Sequence, residues 1–476
     1  MQLENLKNTF INNLILNQNN ALDNSQNNLV SIEDYENILK NTCEVIKNNP
    51  DDDITSLRKK IYDISPLNQN MKYIINDLDL ADSLTITYGT NSYNEKVNIG
   101  MVNNKKANEK NIYDLASVSK LFTSISVLKL TSLGLIDLNK DVAYYDERFK
   151  YLKNTTIFSL LTFNAPLITN GRLDDDGISY EESKERLLNI KINESFNPIF
   201  SPYTDLVAMV LKEVIETITN QNFYEFVKEN ILNTSNMDNT YIIVPKEKLY
   251  LTASTDNTIS YKNNKFIFRK VRTGTVNDEK AKILGQNVND FMGHAGLFST
   301  PIDMSKFANS IMDYKLLNKD YLNKMSKNMT GRYIESLNKY RQYFGCLCYV
   351  KNPDKKASEV YHPLSANAFA MGGYTGNQFT VDPQNKIFAF LCSNRTHNRI
   401  VNLSGFDKNK IIKDINGKQT IVINGKEYVN SSSFANQRDI ILKSALDLAI
   451  SYSFLEYYIT SYDKNINLSG TLSRTI

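Results

Sequence analysis

A serine and a lysine three residues apart can carry out acyl transfer if the surroundings let the amine take the hydroxyl proton. "YDLASVSKLF" puts Ser117 and Lys120 at that spacing, at the head of a strongly apolar stretch. On a helix, residues i and i+3 share a face, so Oγ and Nζ can meet. Apolar burial disfavours an ammonium, and a neutral amine beside a hydroxyl is a base. N–H groups at a helix start suit a developing oxyanion. Spacing alone does not select this pair, because Ser56/Lys59, Ser126/Lys129, Ser336/Lys339 and Ser461/Lys464 share it. Ser126 lacks a helix start, and Ser56 and Ser461 have polar neighbours. The residues by themselves leave open both a nucleophile and an ordinary helix-start serine at 117.

Other chemistries are poorly supplied. The three histidines, His294, His362 and His397, are scattered, so a Ser-His-Asp triad has little to work with. The four cysteines include no CxxC pair and no Cys/His cluster at metal-ligand spacing, and Cys346-x-Cys348 is too tight for an ordinary disulfide. The expectation is a site without metal or organic cofactor. A formal charge of +3 over 476 residues gives no preference for nucleic acid or a membrane surface. Neither a signal-peptide pattern nor a membrane span is visible, so a cytoplasmic location is expected.

The elements that must position Ser117 follow from period and punctuation. Residues 1–75 read as a helical extension, with a capping box from Ser31 to Asp34. "DSLTITYGT" and "KVNIGMV" read as paired strands. Val118, Leu121, Phe122, Ile125 and Leu128 form one stripe of a helix over 115–133 that stops at Gly134. From about 140 to 330 the chain reads as a helical lobe. Strand character returns near 342–350, 377–382 and 386–392. The segment 401–433 carries a hairpin with turns at Asn416-Gly417 and Asn424-Gly425, and 434–476 holds a long amphipathic helix and tail. Strands at both ends around a helical middle imply one sheet built from distant segments.

The opening "YDLASVSKLFTSISVLKLTSLGLIDLNKDV" resembles the first motif of the serine β-lactamase and penicillin-binding-protein superfamily, in its class C-like esterase and D,D-peptidase branch. "TTIFSLLTFNAPL", "FSPYTDLVAMVLKEVIETI", "GTVNDEKAKILG", "GHAGLFSTPIDMSKFANSIM" and "MGGYTGNQFTVDPQNKIFAFLCSNRTHN" continue the resemblance in the family's order. It implies an α/β fold, an antiparallel sheet flanked by helices with an inserted all-helical lobe, over residues 76–400. It makes Ser117 the acylated nucleophile, Lys120 its base, and Tyr203 a proton shuttle whose phenol a nearby lysine lowers. The Ser117 and Tyr374 N–H groups would form the oxyanion hole next to Gly373. Asp278 and His294 read as structural.

Two departures stand out. Asp205 fills the position of the usual Asn, where it either favours the ammonium form of Lys120 or caps the following helix. The third motif, normally Lys-Thr-Gly or His-Thr-Gly, reads Met371-Gly372-Gly373 without a gap or Tyr374-Thr375-Gly376 with a shift, and neither supplies a cation. That counts against substrates held by a carboxylate. The reading is a hydrolase of an ester or amide, including D-amino-acid derivatives, that takes a small-molecule or cell-wall-derived substrate. The alternatives are a D,D-carboxypeptidase, a β-lactamase, or a non-catalytic sensor of penicillin or cell-wall fragments.

Overall fold

The computed structural model describes residues 67–450, apart from 92–93, 201, 256–257, 355–356, 444 and 448. Most of the expected N-terminal extension, with the Ser31–Asp34 capping box, and the tail beyond 450 lie outside the described residues.

The strands that matter here are β1 (Ser83–Thr90), β2 (Asn94–Val102), β3 (Lys105–Lys106), β4 (Ile259–Lys262), β5 (Lys265–Phe268), β6 (Tyr349–Val350), β7 (Phe369–Gly372), β8 (Gln378–Asp382), β9 (Ile387–Ser393), β10 (Ile412–Lys413), β11 (Gln419–Ile423) and β12 (Lys426–Val429). A seven-stranded antiparallel sheet runs in the order β6-β7-β8-β9-β1-β2-β3. Its central seam joins the two ends of the sequence, with Leu84 opposite Ser393 and Thr90 opposite Ile387.

The strand sequence explains the layering. In β9, Phe388, Phe390 and Cys392 face one core, while Ile387, Ala389 and Leu391 face another. Side chains alternate with period two, so an unbroken apolar run is a strand buried on both faces. The first core lies against helices α1 (Lys120–Ser132), α2 (Leu206–Thr219) and α4 (Pro301–Met312), with α3 (Glu279–Leu284) at its border. Phe122 of α1 stacks on Phe307 of α4 with centroids 4.5 Å apart, and Phe307 meets Phe379 of the sheet at 5.5 Å. On the far face, Leu67, Met71 and Ile74 pack with Leu442, Leu446 and Ile450 from the C-terminal helical segment. No helix among the described residues is long and apolar enough to cross a membrane.

The middle of the chain is not all helix. β4 and β5 form a hairpin inside the expected helical lobe. Its turn is Asn263-Asn264, both at positive φ (51° and 59°), which suits the twist of a tight hairpin and is a conformation Asn tolerates. The hairpin expected near 412–429 is present as a three-stranded sheet, β10-β11-β12.

The turn that carries Ser117 is clamped from both sides. Ala116 sits in the left-handed region (φ 46°), a conformation costly for a residue with a Cβ. The Asp114 carboxylate accepts the Ala116 N–H at 2.9 Å and the Asn277 N–H at 2.7 Å. The Asp114 carbonyl accepts Thr375 Oγ1 at 2.7 Å and Asn377 Nδ2 at 2.6 Å. Thus the turn after β7 is tied to the turn before α1. Gly373 lies between them, and a Cβ there would stand 2.6 Å from the Leu115 carbonyl oxygen. Gly373→Ala must push the two turns apart. It should destabilise the fold by about 1–3 kcal/mol in urea unfolding and lower activity on any substrate. Wild-type stability would show the clamp to be slack.

Candidate active site

From Asn111 to Leu128 every residue is buried except Ser117, which is half-buried. Ser117 lies in a 3-10 turn, Ala116–Ser119, that runs into α1. The expected helix therefore begins as a tighter turn. Lys120, at the first position of α1, has a side chain with no exposed surface. Its ammonium meets three acceptors: Ser117 Oγ at 2.8 Å, Asp205 Oδ1 at 2.7 Å and the His294 carbonyl at 3.2 Å. Three N–H donors and three acceptors leave no lone pair for a further proton. In this state Lys120 is an ion-paired donor to Ser117, and it becomes a base only after passing a proton on.

The other matches to the Ser-x-x-Lys spacing have ordinary roles where they are described. Ser126 Oγ donates to Phe122 O inside α1, and Lys129 Nζ reaches Asn230 O. Ser336 and Lys339 are exposed around a short hairpin. Ser56/Lys59 and Ser461/Lys464 lie outside the described residues.

Asp205 precedes α2 but makes no side-chain cap there. Of the two roles open to it, the contact is with Lys120. Its second oxygen lies 3.3 Å from Lys280 Nζ. Burial would raise this carboxyl, but Lys120, His294 and Lys280 outweigh burial and hold it well below the usual carboxylate range. Lys280 also pairs with Asp278 at 2.7 Å, and His294 Nε2 lies 3.0 Å from Asp278 Oδ1. The Asp278–His294 pair, read from sequence as structural, thus belongs to the network around Lys120. Lys280 was not singled out at all. Its signal is "NDEKAK", which puts it two residues after the Asp278 cap of α3. Asp205, Asp278 and His294 bring potential ligand atoms within 4.8 Å of one another. Both carboxylates already face ammonium groups, so the cluster is an ion network in which Lys120 and Lys280 occupy the cation positions.

The loop that offers the His294 carbonyl is wedged in place. Thr123 of α1 donates to Gly293 O at 2.6 Å, and Lys212 of α2 pairs with Asp290 at 2.6 Å. A Cβ on Gly293 would stand 2.8 Å from Ala208 O.

Tyr203 closes the site from the side. Its ring stacks on Phe163 (4.9 Å) and Phe344 (5.6 Å), with Lys120 Nζ 5.3 Å from its centroid. The expected lowering of its phenol does not occur. Although 38% of the residue's surface is exposed, desolvation of its hydroxyl first, then the Asp205 carboxylate, push it well above the ordinary tyrosine range, with the Ser117 hydroxyl acting in the opposite sense. Tyr203 is therefore a protonated phenol, suited to give a proton rather than to remove one.

The third motif differs from its expected place on a strand. β7 ends at Gly372, and Gly373 and Tyr374 lie in the following turn. Gly373 N–H is bonded to Asn377 O at 2.7 Å, whereas among the described residues the Tyr374 N–H has no acceptor in range. Tyr374 OH donates to Val401 O at 2.8 Å. Met371 is fully buried in the core. Two arginines lie near this motif although the motif itself lacks a cation. Arg395 donates to the Tyr374 and Ser431 carbonyls, and burial lowers it to about 10. Arg438 comes within 4.0 Å of where a Gly372 Cβ would be, but pairs with Glu359 at 3.2 Å and Asp439 at 2.7 Å.

Removing the Asp205 charge tests this electrostatics. Asp205→Asn takes away the anion paired with the buried Lys120 ammonium and should destabilise the protein at neutral pH. Because the Asp205 carboxyl titrates lower folded than unfolded, its contribution to stability is present above about pH 4 and fades as pH falls below that. The stability gap between wild type and Asp205→Asn should shrink in acid. A stability gap that does not change with pH would contradict the pairing.

The family model described as Beta-lactamase matches residues 89–403. A protein of Escherichia coli K12 named "Putative D-alanyl-D-alanine carboxypeptidase" is 24% identical over 323 residues, covering 62% of this chain and 71% of that protein. Simvastatin synthase from Aspergillus terreus superposes with a TM-score of 0.54 at 13% identity, over 87% of this chain and 98% of that one. EstCE1, a hydrolase with promiscuous acyltransferase activity, gives 0.53 at 13% identity, over 69% and 92%. With the seven-stranded sheet and its helical layers, these matches place the chain in the beta-lactamase family of serine hydrolases.

Proposed function

We propose that the chain hydrolyses an ester or amide through an acyl-enzyme on Ser117, with an acyl derivative of a D-amino acid as one candidate class. The observation that carries the reading is that Ser117 alone reaches the surface from an otherwise buried run, with the Lys120 ammonium 2.8 Å from its oxygen. Lys120, once its ammonium has released a proton to solvent, takes the Ser117 proton as Ser117 Oγ attacks the carbonyl carbon. The Ser117 and Tyr374 amides receive the oxyanion. Tyr203 gives its phenolic proton to the leaving oxygen or nitrogen. In the second half, water attacks the acyl carbon and its proton restores Tyr203. Ser117 departs with the proton held by Lys120, which is left as the free amine for the next turnover.

The committed arginines and the buried Met371 favour a substrate without the carboxylate that a third-motif cation would hold. p-Nitrophenyl esters should therefore be turned over with a higher kcat/KM than nitrocefin, and Ser117→Ala should lower ester kcat by on the order of 10⁶. Nitrocefin turnover at or above the ester rate would overturn the substrate assignment. The name of the Escherichia coli relative favours a second reading, a D-alanyl-D-alanine carboxypeptidase. Release of D-alanine from an acyl-D-alanyl-D-alanine peptide separates the two. A stable acyl adduct without turnover would instead mark a sensor.

A further inference from the structure

Two segments far apart in sequence build a small unit beside the Tyr374 turn. The β4–β5 hairpin and the strands β10–β12 share a core of Ile259, Ile400, Ile421 and Ile423. Val401 N donates to Ile259 O at 3.1 Å and Tyr261 N to Asn402 O at 2.9 Å. Phe406 packs against Tyr261 and Phe266 with centroids 5.0 and 5.4 Å apart. The Tyr374 hydroxyl bonds to Val401 O, so the unit abuts the proposed oxyanion turn.

Its charge is unlike that of the rest of the chain. Residues 258–277 and 400–430 hold ten Lys/Arg against three Asp/Glu, a surplus of seven in a chain whose total is +3. Three of these cations are paired with acidic residues outside the unit, Lys262 with Asp176 and both Arg269 and Arg272 with Glu279, so the outward-facing surplus rests on Lys265, Lys270 and the lysines between 408 and 426. The unit also exposes aliphatic side chains. Ile415, in the turn after β10, is 97% exposed, and Ile412 and Val422 are each 53% exposed. Ile412 lies opposite Thr420, two residues before Val422, so Ile412 and Val422 share one face of the sheet. Lys408, Lys410 and Lys413 flank these aliphatics and are exposed.

We propose that this unit docks the enzyme onto an anionic lipid surface. Lysines draw the unit to the negative charge, each contributing near the headgroups, and Ile412, Ile415 and Val422 enter the interfacial layer. A soluble polyanion would engage the cations and leave the aliphatic tip in water, which is why lipid is the occupant the surface fits. Docking would set the mouth of the site against esters carried on that surface, but the docking itself does not depend on Ser117 chemistry.

The test is co-sedimentation of the full chain with equimolar phosphatidylglycerol–phosphatidylcholine vesicles and with pure phosphatidylcholine vesicles. Binding should require the anionic lipid and weaken with salt. The double variant Lys408→Ser with Lys410→Ser should lose about tenfold or more in affinity, and Ile412→Ser with Ile415→Ser should also weaken binding. Both should hydrolyse a water-soluble p-nitrophenyl ester at the wild-type rate, which reports that they fold. Absence of wild-type binding, or binding that neither variant changes, overturns the proposal. Inorganic polyphosphate bound equally by wild type and the isoleucine variant, with vesicles left unbound, assigns the surface to a soluble polyanion instead and overturns the lipid assignment.

Discussion

A lysine with no exposed side-chain surface must have its charge answered from within the protein, and Lys120 is answered by three acceptors from three parts of the chain. Ser117 comes from the turn before α1, Asp205 from the entry to α2, and the His294 carbonyl from the loop held between those helices. Removing one partner of such a pair leaves a buried charge uncompensated, typically at a cost of about 3–5 kcal/mol. The packing of α1 against α2, the fit of Gly293 and the Lys280–Asp278–His294 chain all serve that arrangement. The same bonds keep the serine and its proton relay in register.

A second constraint sets Ser117 against Tyr374. The two turns that present them are joined through Asp114, whose carboxylate and carbonyl between them accept four hydrogen bonds. Burial pushes the Asp114 carboxyl up to about 6, although the Asn277 and Ala116 N–H groups oppose the rise. Gly373 permits the close approach that the clamp demands. The strain at Ala116 is held by this clamp, and it lies one residue before the proposed nucleophile.

The elements legible from sequence were those whose signal is local. Short β-rich runs marked β1 and β9, period 3.6 marked α1, and Asn-Gly turns marked the strands at 412–429. The β4–β5 hairpin was hidden because its signal is a short Asn-Asn turn among polar residues. β7 escaped because "FAMGG" is too short to show alternation. Ser117, Lys120, Asp205 and Tyr203 lie within contact of one another, and Gly373 packs against the turn before Ser117. Their electrostatics was less legible. Sequence suggested that a lysine would lower the Tyr203 phenol, but burial and Asp205 act the other way, and both depend on distances that only folding sets. Lys280 went unnoticed because nothing in its own neighbourhood points to Asp205, 75 positions earlier in the chain.

The central claim is that Ser117, resting on the Lys120–Asp205 pair, is the group that becomes acylated. Peptide mapping after treatment with a fluorophosphonate tests it most directly. The account predicts label on Ser117 alone in the wild type, and labelling slowed by orders of magnitude in Lys120→Met. Label on Ser56, Ser126, Ser336 or Ser461 with none on Ser117, or undiminished labelling of Lys120→Met, would contradict it.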